Sequence, residues 1–136
     1  ESEDDFDWEE ACIYFMVTDR FFDGNETNNT ASDEFLSKDS TTESTYGKDN
    51  DGLYHGGDFA GVTEKLDYLK DLGIKTVWLM PIMPSTTYHK YDVKNYKDID
   101  PQYGTIEDFE QLIAECDERG IDVIIDLVLN HLILLA

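Results

Sequence analysis

The chain has 136 residues, of which 40% are hydrophobic and 12% aromatic, and this is enough for one compact core. Its 31 acidic and 10 basic residues give a formal charge of −21, which excludes a nucleic-acid binder because phosphate contacts need a basic face. No apolar run approaches the roughly 20 residues of a membrane-spanning helix, so we expect no membrane-spanning segment. Acidic residues dominate the start, and residues 1–10 are predicted to form an acidic disordered tail or linker.

The first predicted element is a strand at residues 11–18, whose sequence ACIYFMVT is typical of a strand buried on both faces. A polar, irregular loop of 36 residues follows at 23–58, and loops of this length are usually functional or disordered. Residues 59–72 then show helical spacing, and Gly73 is placed to end that helix. Its predicted inner face consists of Val62, Leu66, Leu69 and Leu72.

A second buried strand is predicted at residues 74–80, and a long polar and aromatic loop connects it to Gly104. Thr105 can then cap a helix with Asp108 completing a capping box, and a third strand is predicted at residues 121–129. The helix is expected to end at Gly120, and its inner face is predicted to hold Ile106, Phe109, Leu112, Ile113 and Cys116.

Short helix-to-strand turns alternate in this chain with long strand-to-helix loops, which indicates an α/β fold. The pattern favours a partial (β/α)8 TIM barrel that contains only the first three βα units. A doubly wound open sheet is the competing topology, and periodicity alone does not exclude it. A complete barrel has about 250 residues, so this chain would form less than half of one.

The first long loop is rich in side-chain oxygens that could bind a metal ion. It contains DGNETNN, and Asp58 stands at its far end. Calcium prefers six to eight oxygen ligands from carboxylates, amides and carbonyls. The alternative is that these residues only form Asx turns, which Asn and Asp favour in polar loops. The residues concerned are Asp23, Asn25, Asn28, Asn29 and Asp58.

The second long loop is crowded with tyrosines, and tyrosines offer flat faces and hydroxyls to sugar rings. Some of them are instead expected to pack the loop against the sheet. The third strand ends in DLVLNH, which places Asp126, Asn130 and His131 at its carboxyl end, the functional side of a barrel. The aromatic residues of the loop are Tyr88, His89, Tyr91, Tyr96 and Tyr103.

These segments together resemble the N-terminal part of the α-amylase family of glycoside hydrolases, and the resemblance covers nearly all of residues 11–131. IYFMVTDRF is similar to the family's first strand, and YHGGDFAGVTEKLDYLKDLGIKTVWLMP is similar to the segment through its second. YHKYDVKNYKDIDPQYGT resembles its tyrosine-bearing loop, and DLVLNH resembles the first of its short signature regions.

The resemblance implies roles for the matched residues. Tyr91 would stack under the sugar at the cleavage point, beside Tyr88 in the same loop, and His89 and His131 would hydrogen-bond that sugar's hydroxyls. Asp126 would be a buried supporting carboxylate. The resemblance also implies two Ca2+ sites. Asn130 would be a ligand of one of them, and the other would use Asp23, Asn25, Asn28, Asn29, Asp58 and a carbonyl near Gly56.

The resemblance also implies a function, which is the cleavage of α-linked glucans such as starch or maltooligosaccharides with retention. The family's catalytic acids come from later strands, so no catalytic residue is assigned here and we expect the isolated chain to be inactive. The alternatives are a calcium-dependent carbohydrate-binding module without catalysis and a glucanotransferase of the same family. A polymeric substrate favours a secreted or cell-surface protein.

Two features depart from the family pattern. Lys90 stands where many members have glycine, which predicts either an altered substrate fit or a side chain that points to solvent. The apolar residues 132–136 follow DLVLNH where a polar continuation is usual, so we expect a truncation or a shifted reading frame near residue 131. Cys12 and Cys116 are predicted to be core residues that do not pair.

Overall fold

The structure is a computed structural model that describes residues 9–29 and 54–131. The predictions for the first eight residues, for most of the first long loop and for the apolar tail 132–136 lie outside the described residues.

Three short strands and four helices make up the described part of the chain. The strands are β1 (Ile13–Met16), β2 (Thr76–Leu79) and β3 (Asp122–Ile125). The helices are α1 (Thr18–Phe21), α2 (Phe59–Glu64), α3 (Leu66–Asp71) and α4 (Ile106–Glu118), and a 3-10 turn covers Glu26–Asn28.

The strands form one parallel sheet in the order β1-β2-β3, with Thr76 opposite Ile13 on one side and opposite Asp122 on the other. Side chains of α2, α3 and α4 pack in one core with the strands, and this core includes Val62, Leu66, Leu112, Val77 and Leu79. These helices cover one face of the sheet, as they do in the wall of a (β/α)8 barrel. The consecutive order of the three parallel strands is consistent with the predicted partial barrel.

The other face of the sheet is open in the described residues, which corrects the prediction of strands buried on both faces. Phe15 and Trp78 meet edge to face with their ring centroids 5.2 Å apart, and they are 51% and 38% exposed. Ile13, at the start of β1, is 39% exposed. The physical reason is that the helices lie only on the opposite face.

The predicted ends of the helices are confirmed in detail. The Asp108 N–H donates to the Thr105 hydroxyl (3.2 Å) and the Thr105 N–H donates to the Asp108 carboxylate (2.7 Å), which completes the capping box of α4. Gly73 and Gly120 follow their helices with φ values of +85° and +66°. These values lie in the left-handed region that glycine adopts without strain.

Four local predictions were wrong, at least in part. The helix expected at residues 59–72 is divided at Lys65, whose N–H is shared between the carbonyls of Gly61 (3.3 Å) and Val62 (3.1 Å). Leu72 is 55% exposed because α3 ends just before it. The third strand ends at Ile125 instead of Leu129. On α4, Leu112 and Cys116 are buried as predicted and Phe109 packs against the core, whereas Ile106 and Ile113 are exposed.

The two cysteines are free thiols with different surroundings. Cys116 is buried, and burial raises the pKa of its thiol to about 11. Cys12 is exposed, so the prediction that it belongs to the core was wrong. Among the helices of the described residues, none is both long and apolar enough to cross a membrane.

Candidate sugar and calcium sites

The loops that carry the predicted site residues all leave the same edge of the sheet. Because the three strands are parallel, their carboxyl ends lie together. Residues 17–29 follow β1, residues 80–104 follow β2 and residues 126–131 follow β3. This is the edge at which polar side chains carry function in β/α folds.

Tyr91 is the centre of the predicted sugar site. Its hydroxyl donates to the carboxylate of Asp126 (2.7 Å), and its carbonyl accepts from Nε2 of His131 (2.9 Å). Desolvation, together with the bond to Asp126, raises the pKa of the Tyr91 phenol to about 12. The phenol therefore stays protonated at neutral pH. Two residues of the loop after β3, 35 and 40 positions away in sequence, thus hold Tyr91 by its hydroxyl and by its backbone carbonyl.

His89 lies beside Tyr91, with the two ring centroids 5.8 Å apart and the ring planes inclined by 34°. Nδ1 of His89 accepts the N–H of Tyr91 (3.2 Å) and lies 3.1 Å from the Thr87 hydroxyl. Because Nδ1 accepts, the neutral imidazole carries its proton on Nε2. Tyr88 packs edge to face on His89 (5.2 Å), and the Arg20 guanidinium lies 3.7 Å from the centroid of the Tyr88 ring.

His131 contacts the site through both ring nitrogens. Nε2 donates to the Tyr91 carbonyl, so the neutral ring has Nδ1 as its acceptor, 3.4 Å from the amide nitrogen of Asn130. In this arrangement His131 orients Tyr91. Asn130 is exposed and lies next to His131.

The other tyrosines of the loop have structural contacts, as expected for some of them. Tyr103 is buried and donates to the carbonyl of Tyr88 (3.2 Å). The hydroxyl of Tyr96 donates to the carbonyls of Val128 and His131, and the second distance is 2.7 Å. Tyr96 thus holds the segment that follows β3.

A small polar cluster holds the loop just before the sugar site. The carboxylate of Asp92 accepts from the hydroxyls of Ser85, Thr86 and Thr87. Burial alone would raise its pKa, but these bonds and the Thr86 N–H lower the pKa of Asp92 to about 2. The carboxylate is therefore ionised at neutral pH and ties residues 85–87 to the residue after Tyr91.

The predicted calcium ligands of the first loop converge around two carboxylates. Asp58 is fully buried and caps α2, accepting from the N–H groups of Gly61 (2.7 Å) and Gly24 (3.0 Å) through one oxygen. Its other oxygen accepts from the amide of Asn28 (2.8 Å). Asp23 accepts from the amide of Asn29 (2.6 Å).

Three buried oxygens of this cluster have no hydrogen-bond partner among the described residues. They are Oδ1 of Asp23, Oδ1 of Asn28 and Oδ1 of Asn29. A Cβ atom added to Gly56, whose φ is +85°, would lie 2.7 Å from both Oδ1 of Asn29 and Oδ2 of Asp23. Buried oxygens without donors are unfavourable unless a cation satisfies them, and two carboxylates with several amide oxygens are the donor set that calcium prefers. The residues present fit calcium.

Asn25 is the exception in this set, because its oxygen accepts from the N–H (3.1 Å) and the hydroxyl (2.6 Å) of Thr27. This is the Asx-turn chemistry that the sequence left open. In the described residues no three His, Cys, Asp or Glu side chains cluster as metal ligands. The candidate site therefore depends on amide and backbone oxygens as well as on carboxylates.

Asp19 and Arg20 connect the two candidate sites, although neither residue was predicted from the sequence. Asp19 is buried and accepts the N–H groups of His55 (3.0 Å) and Gly56 (3.3 Å) beside the oxygen cluster. Burial raises the pKa of Asp19, and those bonds and Arg20 act against the rise. Arg20 pairs with this carboxylate and stacks on Tyr88. Their position directly after β1 was the available signal, because polar residues at strand ends are functional candidates.

Lys90 does not point to solvent, so this one of its two predicted outcomes was wrong, whereas an altered substrate fit stays a prediction. Its side chain is fully buried and its ammonium pairs with Asp100 (2.8 Å). Lys90 also has a φ of +58°, a left-handed conformation that glycine adopts more readily.

Parallel βα units with aromatic and polar loops at their carboxyl edge are the arrangement of a (β/α)8 barrel, of which this chain has the first three strands. A family model described as "Alpha amylase, catalytic domain" matches residues 15–133. The chain belongs to the α-amylase family.

The relatives support this assignment over most of the chain. Neopullulanase 2 from Thermoactinomyces vulgaris is 38% identical over 122 residues, which is 90% of this chain and 20% of that protein. Alpha-amylase 3 from Dictyoglomus thermophilum is 57% identical over 75 residues, which is 55% of this chain and 15% of that protein. The type III pullulan hydrolase from Thermococcus kodakarensis has a TM-score of 0.78 and 34% identity, and the match covers 90% of this chain and 24% of that structure. The chain thus spans a quarter or less of these relatives.

Proposed function

We propose that this chain forms part of the sugar-binding edge of an enzyme that cleaves α-linked glucans with retention. The observation that carries the proposal is the arrangement around Tyr91, whose hydroxyl donates to Asp126 and whose backbone carbonyl accepts from His131. Relatives are named α-amylase, neopullulanase and pullulan hydrolase, which supports an α-glucan as the substrate class.

The residues present suggest how a sugar would be held. The Tyr91 ring offers an apolar face, and the Nε2–H of His89 offers a hydrogen-bond donor to a sugar hydroxyl beside it. Tyr88, fixed under Arg20, extends the aromatic surface. Each of these groups is fixed by the protein before a ligand arrives, which lowers the entropy lost on binding.

The proposal assigns no catalytic residue to this chain. Retaining cleavage requires one carboxylate as nucleophile and a second carboxylic acid as proton donor. Asp126 is bonded to Tyr91, so its role is to position that ring. The two acids would come from residues outside these 136, and the isolated chain would bind sugar weakly and cleave none. A polymeric substrate also favours a secreted or cell-surface location.

The test compares sugar binding and cleavage in the complete gene product that contains this chain. We expect maltohexaose to bind in calorimetry and cellohexaose, its β-linked counterpart, to bind far more weakly. Tyr91→Ala should remove most of the binding, and Tyr68→Ala, an exposed tyrosine on α3, should not change it. Equal binding of the two sugars, or equal effects of the two variants, would contradict the proposed site.

Product analysis with soluble starch distinguishes the alternatives. Release of reducing sugar supports a hydrolase, and longer or cyclic products made by transfer support a glucanotransferase. Binding without any cleavage supports a carbohydrate-binding module.

We also propose that the first loop binds Ca2+ through Asp23, Asn28, Asn29, Asp58 and a carbonyl near Gly56. Bound there, calcium would supply charge neutralisation and a cross-link between residues 23–29 and 56–58. The support is the set of unpartnered buried oxygens beside two carboxylates. Calcium titration should show binding, and Asp23→Asn should weaken it. Mg2+ is a smaller ion that requires near-ideal octahedral coordination, so it should bind much less well. Equal binding of the two metals would contradict the proposal.

A further inference from the structure

Lys90 is a buried cation placed between two residues of the proposed sugar site, His89 and Tyr91. Its ammonium donates to Oδ2 of Asp100 (2.8 Å) and to the side-chain oxygen of Gln102 (3.1 Å). It also lies 4.5 Å from the centroid of the Tyr103 ring. The side chain therefore crosses from the sugar loop to the segment that leads into α4.

The anchor that receives this ammonium is itself fixed. Asp100 accepts the N–H of Ser85 (3.2 Å) on the oxygen that binds Lys90, and the N–H of Gln102 (3.0 Å) on the other. Its own N–H donates to the carbonyl of Ile82 (2.8 Å). A buried ammonium is tolerated only when it is paired in good geometry, so the lysine is held in one position.

The backbone at Lys90 is left-handed, with a φ of +58°. At this reversal the Tyr91 N–H bonds Nδ1 of His89, and the rings of His89 and Tyr91 lie 5.8 Å apart. A non-glycine residue pays about 1 kcal/mol or more for this conformation, and it persists where the surroundings impose it. At this position the surroundings include the buried ion pair of Lys90 with Asp100.

We propose that Lys90 is a positioning residue for the sugar site, and that its buried bond to Asp100 fixes the backbone turn that sets His89 against Tyr91. The consequence for catalysis depends on the proposed function, whereas the positioning of the turn does not. The competing role is a general contribution to stability, as any buried ion pair can give.

Lys90→Gly is the informative variant, because glycine adopts the same φ without strain while the buried bonds of the ammonium to Asp100 and Gln102 are lost. Lys90→Met keeps the length of the side chain and removes the charge, and serves as a second variant if the first does not fold. Lys97→Met, at an exposed lysine of the same loop, is the matched control.

The first measurement is hydrogen exchange in the complete gene product, and it does not require activity. We expect Lys90→Gly to accelerate exchange of the amides at residues 88–92 by about tenfold or more, with α4 and the Lys97→Met control unchanged. Equal acceleration in residues 88–92 and in α4 would assign Lys90 a general stabilising role and overturn the proposal. No acceleration in residues 88–92 would overturn it too.

The second measurement is cleavage of maltooligosaccharides. A misplaced ring affects the transition state more than the bound substrate, so kcat should fall about tenfold to a hundredfold while KM changes by less than about threefold. An unchanged kcat in a folded Lys90→Gly protein would contradict the claim that Lys90 positions residues that act in catalysis. If the unmodified protein cleaves no α-glucan, the proposed function fails, and hydrogen exchange still decides whether Lys90 fixes the turn.

Discussion

Replacing Asp58 by asparagine and by alanine separates its two roles, the capping of α2 and the proposed binding of calcium. The carboxylate is fully buried and receives three donors, which are the N–H groups of Gly61 (2.7 Å) and Gly24 (3.0 Å) and the amide of Asn28 (2.8 Å). Asparagine keeps an oxygen for the two N–H groups. The new side-chain amide can then donate to the side-chain oxygen of Asn28, provided that the Asn28 amide group flips.

The expected magnitudes follow from these contacts. Asp58→Ala removes the cap, which costs about 1 kcal/mol, and leaves at least one buried donor unpaired, which costs about 1–3 kcal/mol more. The sum of about 2–4 kcal/mol corresponds to roughly 30-fold to 1,000-fold faster local opening. Asp58→Asn replaces charged hydrogen bonds by neutral ones at a cost of about 1 kcal/mol, or roughly fivefold.

The assay is hydrogen exchange of the α2 peptide in the complete gene product, with EDTA and with calcium. Calcium at a hundred times its dissociation constant should stabilise the unmodified protein by about 2.7 kcal/mol. Both variants should lose most of this response, although only Asp58→Ala should open readily in EDTA. A full calcium response in Asp58→Asn, or equal opening of both variants in EDTA, would refute the reasoning.

Three further outcomes are expected. Tyr91→Phe loses the hydrogen bond to Asp126 (2.7 Å) but keeps the ring, so calorimetry should show that the affinity for maltohexaose falls about threefold to tenfold. A loss of affinity as large as that of Tyr91→Ala would contradict the role of the ring face. Gly56→Ala should abolish calcium binding, because the added Cβ would lie among the proposed ligand oxygens. Gly73 has the same φ of +85° but no atom within 4 Å of an added Cβ, so Gly73→Ala should cost only about 1 kcal/mol of stability. Calcium titration of both variants therefore separates backbone strain from blocking of the calcium site. The folded-state pKa of Asp92 is lowered from 3.8 to about 2, so the ionised carboxylate adds about 1–2 kcal/mol to the free energy of unfolding above pH 4, and this is lost as pH falls towards 2. Asp92→Asn should therefore reduce the loss of stability between pH 4 and pH 2 in denaturation curves. An unchanged pH dependence would contradict this role of Asp92.

Local sequence rules were sufficient for much of the fold. The capping box of Thr105 and Asp108 and the left-handed glycines at 73 and 120 depend on neighbours within a few residues, so the sequence alone specifies them. The same holds for the parallel strands, whose apolar runs separated by helices require a βα arrangement. The loop around Tyr91 was predicted from its composition and from its place after a strand.

Tertiary structure decided where each polar side chain is satisfied. The sequence left Lys90 either near substrate or in solvent, and the fold buries it against Asp100, ten residues away. The composition of the loop did not distinguish its four tyrosines, although the family resemblance singled out Tyr91. The fold buries Tyr103 in the core and hydrogen-bonds Tyr91 to a carboxylate 35 residues away. These outcomes depend on which segments meet across the sheet edge, because a buried charge or hydroxyl takes its partner from its surroundings in space and not from its neighbours in sequence.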